Sequence, residues 1–394
     1  MQFHDGNERD VARGVMDGHD VGFRHLGLVL IAGLAAPGSG CTTDPGNVGE
    51  VDATVEAGEP AWELPLDFRV TDVVGVEDGV VAVGFSPPED ADANATWVVA
   101  AVDAQGNPTW THEATGVPAR IAVGASGLLV AGRSHTDWDQ ALMQLEMLDF
   151  AGNVQLTLTG DPGELVDVAF GASLEDGAPR IVAAGNAQEN APGGSGARIL
   201  SWDLEGSEVG SVEEAPTSPE GTPLVRAVSL VPQLHSGWML VMEDELGGSY
   251  RASYESLPGE PYVVALDHSV RDMSWVLAEG VVSADASGEN EVGVMTVGDG
   301  LALDGVEPWT LLEDVTYEVI ASRPGVTVVG GHQVVGDDSA QAVLQVIDPF
   351  GQVELDSVIV PADPWSSFVG VAITDGLVVG ALAAEDSALI AIAN

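Results

Sequence analysis

The chain has 394 residues, of which 62 are Asp or Glu and 12 are Arg, with no Lys, for a formal charge of −50. A surface of that sign repels nucleic acid and anionic headgroups and excludes both as partners. The single cysteine, Cys41, excludes an intrachain disulfide framework or a Cys-based metal site, and 49 Gly with 22 Pro ask for frequent turns and many short strands.

Arg24 and His25 precede an apolar run, Leu26–Ala36 (LGLVLIAGLAA). It is too short to span a bilayer and suits the apolar region of a signal peptide. Gly38, Ser39, Gly40 and Cys41 follow. This stretch resembles a bacterial lipobox, with Gly38 where Leu is usual, and the resemblance implies that Cys41 becomes the lipidated first residue after cleavage. Thr42 rather than Asp after it implies, by similarity to Gram-negative sorting, delivery to the outer membrane. A start at Met16 would give a more ordinary leader than the long acidic stretch before Arg24. The expected organisation is a lipoprotein signal peptide over 1–40, a flexible acidic tether over 41–59, and a folded domain over 60–394. The tether, rich in Gly, Pro, Thr and acid, has no apolar periodicity.

From residue 60 onward short apolar runs alternate with Gly, Asp, Asn and Pro clusters, which reads as strand throughout. Two patterns recur. The first is a Gly followed by apolar residues and a small residue: Gly79–Gly84, Gly127–Gly132, Arg180–Gly185, Gly237–Met242, Gly325–Gly330 and Gly376–Ala381. It suits a strand buried on both faces, entered by a tight turn and left where backbones approach closely. The second is an Asp, a Gly three residues on, and a large apolar residue beyond: Asp103/Gly106/Trp110, Asp149/Gly152/Leu156, Asp203/Gly206/Val209 and Asp348/Gly351/Leu355. Here Asp caps a turn with its own side chain and Gly takes the left-handed position, so each copy joins a third strand to an outer fourth. A degenerate copy is expected at Asp267 with Trp275 beyond it.

Four-strand units of ~40–50 residues are the signature of propeller blades. The segment 280–314 must hold a poorly matched unit, with Glu291–Val297 as its inner strand and Trp309–Glu313 as its outer one. The last unit, from Trp365 to Asn394, has three strands only, whereas Pro60–Leu66 has no partner and matches the outer strands at Pro108–Glu113 and Pro308–Leu312. The fold expected is all-β, a seven-bladed β-propeller whose last blade is completed by the N-terminal strand, with six or eight blades as alternatives. Such closure removes two exposed edges.

The run Ala101–Trp110 (AVDAQGNPTW) resembles the repeats of bacterial quinoprotein-type propellers, and more closely the generic repeats of secreted bacterial β-propellers. The quinoprotein spacing has one more residue before the Gly, whereas Gln105 meets Gly106 directly, so quinone binding is not carried over. The overall plan is also similar to the propeller lipoprotein of the outer-membrane barrel-assembly machinery, a family that usually has eight blades.

No catalytic motif stands out. HExxH, a phosphate-binding loop and a dinucleotide fingerprint are absent, and Gly193–Gly196 is a Gly-rich loop rather than a nucleophile elbow. Asp90, Asp92 and Asn94 alternate like the first ligands of a calcium loop, although Ala95 stands where Gly normally follows and no Glu closes it. His135 and His332 follow buried strands at equivalent places in different units. With Asp137, Trp138 and Asp337 they are candidates for a ligand rim on one face. Trp62, Trp110, Trp275 and Trp309 are assigned to outer strands as packing between blades. The favoured function is a non-enzymatic, monomeric, envelope-anchored binding or scaffold module for a protein or glycan, touching the membrane through its lipid only. The alternatives are a propeller hydrolase or lyase and a calcium-binding adhesion module.

Overall fold

The computed structural model divides into two units, Met1–Ala53 and Thr54–Asn394. Within the second it describes residues 60–393 except 89–92, 173–177, 193, 213–215, 233–236, 255–260, 267–269, 277–279, 286–291, 298–302, 310–314, 324–325, 337–338, 348–352, 361–364 and 385. The described residues are almost wholly strand, with one short 3-10 turn, Trp138–Gln140, and no α-helix.

A short first strand, β1 (Trp62–Pro65), is followed by an antiparallel sheet of β2 (Arg69–Val76), β3 (Gly79–Ser86), β4 (Thr96–Asp103) and β5 (Pro108–Thr115). The next sheet has seven strands: β6 (Val117–Gly124), β7 (Gly127–Arg133), β8 (Leu142–Leu148), β9 (Val154–Ala172), β10 (Pro179–Ala187), β11 (Gly196–Trp202) and β12 (Glu208–Val212). Strand β9, 19 residues long, serves twice: its first half pairs with β8 and its second half with β10. Three four-stranded sheets follow. They are β13 (Leu224–Pro232) to β14 (Trp238–Asp244), β15 (Ser249–Tyr254) and β16 (Tyr262–Ala265); β17 (Val270–Val276) to β18 (Gly280–Asp285), β19 (Val292–Val297) and β20 (Leu303–Trp309); and β21 (Val315–Arg323) to β22 (Val326–Gly336), β23 (Ser339–Ile347) and β24 (Val353–Val360). The last sheet is β25 (Ser367–Ile373), β26 (Leu377–Ala383) and β27 (Ala388–Ala393), with β1 as its fourth strand, Trp62 lying opposite Ala391 and Pro65 opposite Ala388.

The patterns read from the sequence map onto this plan. The Gly-led runs are the second strands, such as β3 and β7, and they are buried along almost their whole length. Their closing glycines lie beside the first strand of the same sheet. A Cβ on Gly84 or Gly132 would come within 2.1 and 2.3 Å of the carbonyl oxygens of Arg69 and Val117, and one on Gly331, the residue after the Gly325–Gly330 run, within 1.9 Å of that of Thr316. The Asp turns cap as expected: Asp103 Oδ1 accepts from the N–H groups of Gln105 and Asn107 at 2.9 and 2.8 Å, while Gly106 sits at φ 84°.

Between sheets the packing is apolar and interlocked. Val328 and Leu344 of one sheet share a cluster with Phe368 and Ile390 of the next, and Val80 and Val98 share one with Val379 and Leu389. Full burial of one such side chain contributes about 1.5–3 kcal/mol. At the periphery the outer-strand Trp of one sheet covers the Asp turn of the next. Trp62 lies on Gly106 and donates its indole N–H to Ala104 O at 3.1 Å; Trp110 lies on Gly152 and donates to Phe150 O at 3.0 Å. Leu156 takes the same place over Gly206. The expected packing role of Trp62 and Trp110 therefore holds.

Two expectations are corrected. Trp275 is on β17, the first strand of its sheet, because the preceding outer strand is β16 and ends before Asp267. In the unit over 280–314, β18 is the second strand, Val292–Val297 the third and Leu303–Trp309 the outer one, a shift of one strand from the sequence reading. The run after Gly280 is interrupted by Ser283 and Asp285, which hides its kinship with the continuous apolar copies.

Candidate functional site: a charged channel between first strands

Each first strand packs against the first strand of the next sheet in the order β2, β6, β9, β13, β17, β21 and β25, and β25 packs against β2. In every one of these strands the pairing register slips by a residue, a β-bulge at the same point of the repeat. The residues just after the bulges are Asp72, Arg120, Asp167, Ser229, Asp272, Val319 and Gly370. A bulge re-aims the side chain that follows it. Five of these seven residues are polar, and they line a channel of about 350 Å³ or border it.

The three aspartates share one arrangement. Asp72 Oδ1 accepts from its own strand at Val73 N (2.8 Å), and Oδ2 from the next sheet at Ile121 N (3.0 Å). Asp167 does the same with Val168 N (2.8 Å) and Leu230 N (2.6 Å), and Asp272 with Met273 N (3.0 Å) and Ile320 N (3.2 Å). Each carboxyl group thus clamps two neighbouring sheets through backbone N–H groups, satisfying donors that a bulge would otherwise leave unpaired. The Ser229 hydroxyl lies 3.1 Å from Asp167 and 3.3 Å from Asp272. At Gly370 a Cβ would come within 2.8 Å of Val73 N, so β25 and β2 approach too closely for a side chain there.

Arg120 reaches across this arrangement, 3.2 Å from Asp272 and 3.8 Å from Asp72. Burial works against its charge, but the carboxylates of Asp272, Asp72 and Asp167 outweigh that and raise its pKa. Burial pushes Asp72 up to about 7 and Asp167 up to about 6, against the pull of Arg120 and the backbone N–H groups. With one guanidinium among three buried carboxyl groups, Asp72 and Asp167 hold their protons to higher pH than an exposed aspartate does. Among the described residues no three His, Cys, Asp or Glu side chains converge as a metal site.

The residues singled out from the sequence lie elsewhere. Cys41, Asp90, Asp92 and Asp337 are outside the described residues. Asn94 staples one loop to another: its Oδ1 accepts from Thr136 N at 2.8 Å and lies 3.0 Å from Thr136 Oγ1, and its Nδ2 donates to Ser134 O at 2.7 Å. His135 Nδ1 accepts from Asp137 N at 3.0 Å, and Asp137 caps the short turn that carries the exposed Trp138. His332 lies within β22 and is buried, 3.5 Å from Glu318 and 4.7 Å from the ring of Trp365. Among the described residues no hydrogen bond or ion pair joins the His135 and His332 groups. The ionisable channel residues Asp72, Arg120, Asp167 and Asp272 escaped the sequence reading. Their signal was an ionisable residue inside an apolar first strand, as in VTDVV, PARIA and LVDVA, recurring with the repeat.

These sheets, packed first strand to first strand with Trp-capped outer turns, define a β-propeller. A solved propeller structure agrees with that class. The Dos1 propeller superposes with a TM-score of 0.51 at 9% identity, over 84% of this chain and 95% of that one. BamB from Moraxella catarrhalis superposes at 0.49 and 11%, over 85% and 99%. No protein-family model and no curated protein sequence matches the chain.

Proposed function

We propose that the chain is a seven-bladed propeller held at the cell envelope by a lipid on Cys41, and that it works as a monomeric, non-enzymatic module binding a protein or glycan through one rim. The blade count is supported by the seven bulged first strands in cyclic contact, with β9 serving two blades and β1 completing the last. The channel carboxyls support a binding rather than a catalytic role, since their oxygens are already occupied with holding sheets together.

The observation that carries the binding reading is a group of exposed apolar side chains at one end of the sheets. Trp138, Leu142, Leu246, Val334, Val335 and Trp365 are exposed in loops or strand ends at one end of the sheets, opposite the Asp103 and Asp149 turns, while Val123, Phe150, Val154, Val209 and Tyr262 are exposed elsewhere. Exposed apolar groups gathered on one face mark interaction surfaces. Strand β1 enters from the other end, where Trp62 meets the Asp103 turn. A tether over 41–59 therefore joins the body on the side away from this rim. His135, Asp137 and Asp337 supply its polar contacts in this reading.

A photo-crosslinking residue placed at 246 or 365 should give discrete adducts in the envelope fraction, and one on an outer strand should not. The combined Trp138→Ala, Leu246→Ser, Trp365→Ala variant should fold and lose them. Equal crosslinking from both places would overturn the rim. A fatty-acid label lost in Cys41→Ala tests the anchor. Calcium enters this reading only if Asn94 gives up Thr136, so the expected melting temperature is the same with calcium and with chelator.

A further inference from the structure

The end of the propeller opposite the rim carries a cavity that the rim reading does not use. It measures about 630 Å³ and opens between the sheet of β2–β5 and that of β6–β9. Ligand pockets run at about 300–1,000 Å³. Trp110 and Phe150 line it, together with Val123. Phe150 is 50% and Val123 43% exposed, large apolar side chains left facing solvent. The Trp110 ring is held by its bond to Phe150 O and its seat on Gly152.

The remaining wall is charged with one sign. Glu77, Asp78, Asp103 and Asp375 border the cavity, and Arg323, the one cation among the described residues that line it, is paired with Asp375 at 3.1 Å. Backbone and side-chain bonds from Asn107 hold the Asp103 carboxyl below its usual range, so it stays ionised into acid pH. Gly75, Val123, Arg323 and Ile373 also border the channel, so the cavity is continuous with the mouth of the ring.

We propose that this cavity is a second binding site, which takes a basic peptide segment of a partner protein with a large apolar side chain seated against Phe150 and Trp110. The apolar wall needs a hydrophobic anchor, and the acidic border selects cationic flanks. A net charge of −50 repels anionic lipid and nucleic acid from the same place. This site is separate from the rim, on the other end of the sheets.

The test uses the full chain in detergent and two fluorescein-labelled hexapeptides, one alternating arginine with leucine and one alternating glutamate with leucine, followed by fluorescence anisotropy. The arginine peptide should bind, and raising the salt from 20 to about 300 mM should weaken it severalfold as screening shortens the reach of the acids. Phe150→Ala and the pair Glu77→Gln, Asp78→Asn should each weaken it at least fivefold. These are surface positions, and an unchanged melting temperature verifies that the variants fold. Tyr262→Ala, an exposed residue on an outer strand, should bind like the parent. Equal binding of the glutamate peptide, no binding of the arginine peptide, or parental affinity in either cavity variant would overturn the proposal.

Discussion

Asp72 and Asp103 each accept a pair of backbone N–H groups in opposite surroundings, Asp103 with the Asn107 amide added and Asp72 with Arg120 beside it. The backbone bonds are 2.8–3.0 Å long. Asp103, on an exposed turn, has its pKa lowered by the Asn107 backbone and side-chain N–H groups and by Gln105 N, and Asp149 in the next copy by the Asn153 side chain and backbone and by Ala151 N. Asp72, in the channel, has its pKa raised to about 7 in spite of its own two N–H bonds. The difference is burial: two N–H bonds favour the anion in both places, but loss of hydration outweighs them in the channel. The repeat thus uses one residue type as a turn cap at its periphery and as an inter-sheet clamp at its centre.

The sharpest way to break this comparison is to remove both carboxyls in turn. Asp72→Ala leaves Val73 N and Ile121 N unpaired and takes one counter-charge from Arg120, and breaking a buried charged network of this kind costs about 3–5 kcal/mol. Asp103→Ala should cost far less, because water replaces the lost acceptor. Chemical denaturation of both variants checks the ordering, and similar losses would mean that the clamp is no more than a turn cap.

Trp62→Ala should come second. It removes the ring that covers Gly106 and loosens β1, which completes the last sheet. Core Trp→Ala changes cost about 3–5 kcal/mol, and this half-buried ring should cost about 2. Deleting residues 60–66 should go further and lower the melting temperature of the whole domain, as calorimetry would show in a single shifted transition. A truncated chain that melts like the parent would refute the closing role of β1.

The pH response sharpens the comparison further, because the two kinds of aspartate act with opposite sign. Asp72 and Asp167 have folded-state pKa values raised to about 7 and 6 from 3.8. Their contribution is present at acid pH and is lost as pH rises through 6 and 7, by up to about 1.4 kcal/mol per pH unit for each group. The turn aspartates Asp103, Asp149 and Asp244 have lowered values. Their contribution is present above pH 3.8 and is lost as pH falls below it. Stability should therefore be greatest in mildly acid solution. The smallest effect expected is on the turn side: a melting temperature that holds down to about pH 4 and drops only below it.

The periphery of the fold was legible in the sequence because its turns need particular residues in a fixed order. Asp103, Gly106 and Trp110 each satisfy a local requirement, and the likeness of Pro60–Leu66 to the outer strands at Pro108–Glu113 and Pro308–Leu312 located the strand that joins β27. The centre was not legible in the same way. Asp72, Arg120, Asp167, Ser229 and Asp272 occupy one structural position with differing chemistry, so a search for a recurring residue passes over them. Their role depends on bulges and on N–H groups of the adjacent sheet, which no local pattern contains. The unit over 280–314 was misplaced by one strand for a related reason, since β18 carries Ser283 and Asp285 where other copies are wholly apolar.

The most direct test is the melting temperature of the parent and of Asp72→Asn between pH 5 and pH 8. Burial of a protonatable Asp72 predicts that the parent melts lower at pH 8 than at pH 5 and that the Asn variant, with no proton to lose at that position, shows a flatter dependence. Parallel curves for the two proteins, or a parent that gains stability toward pH 8, would contradict it.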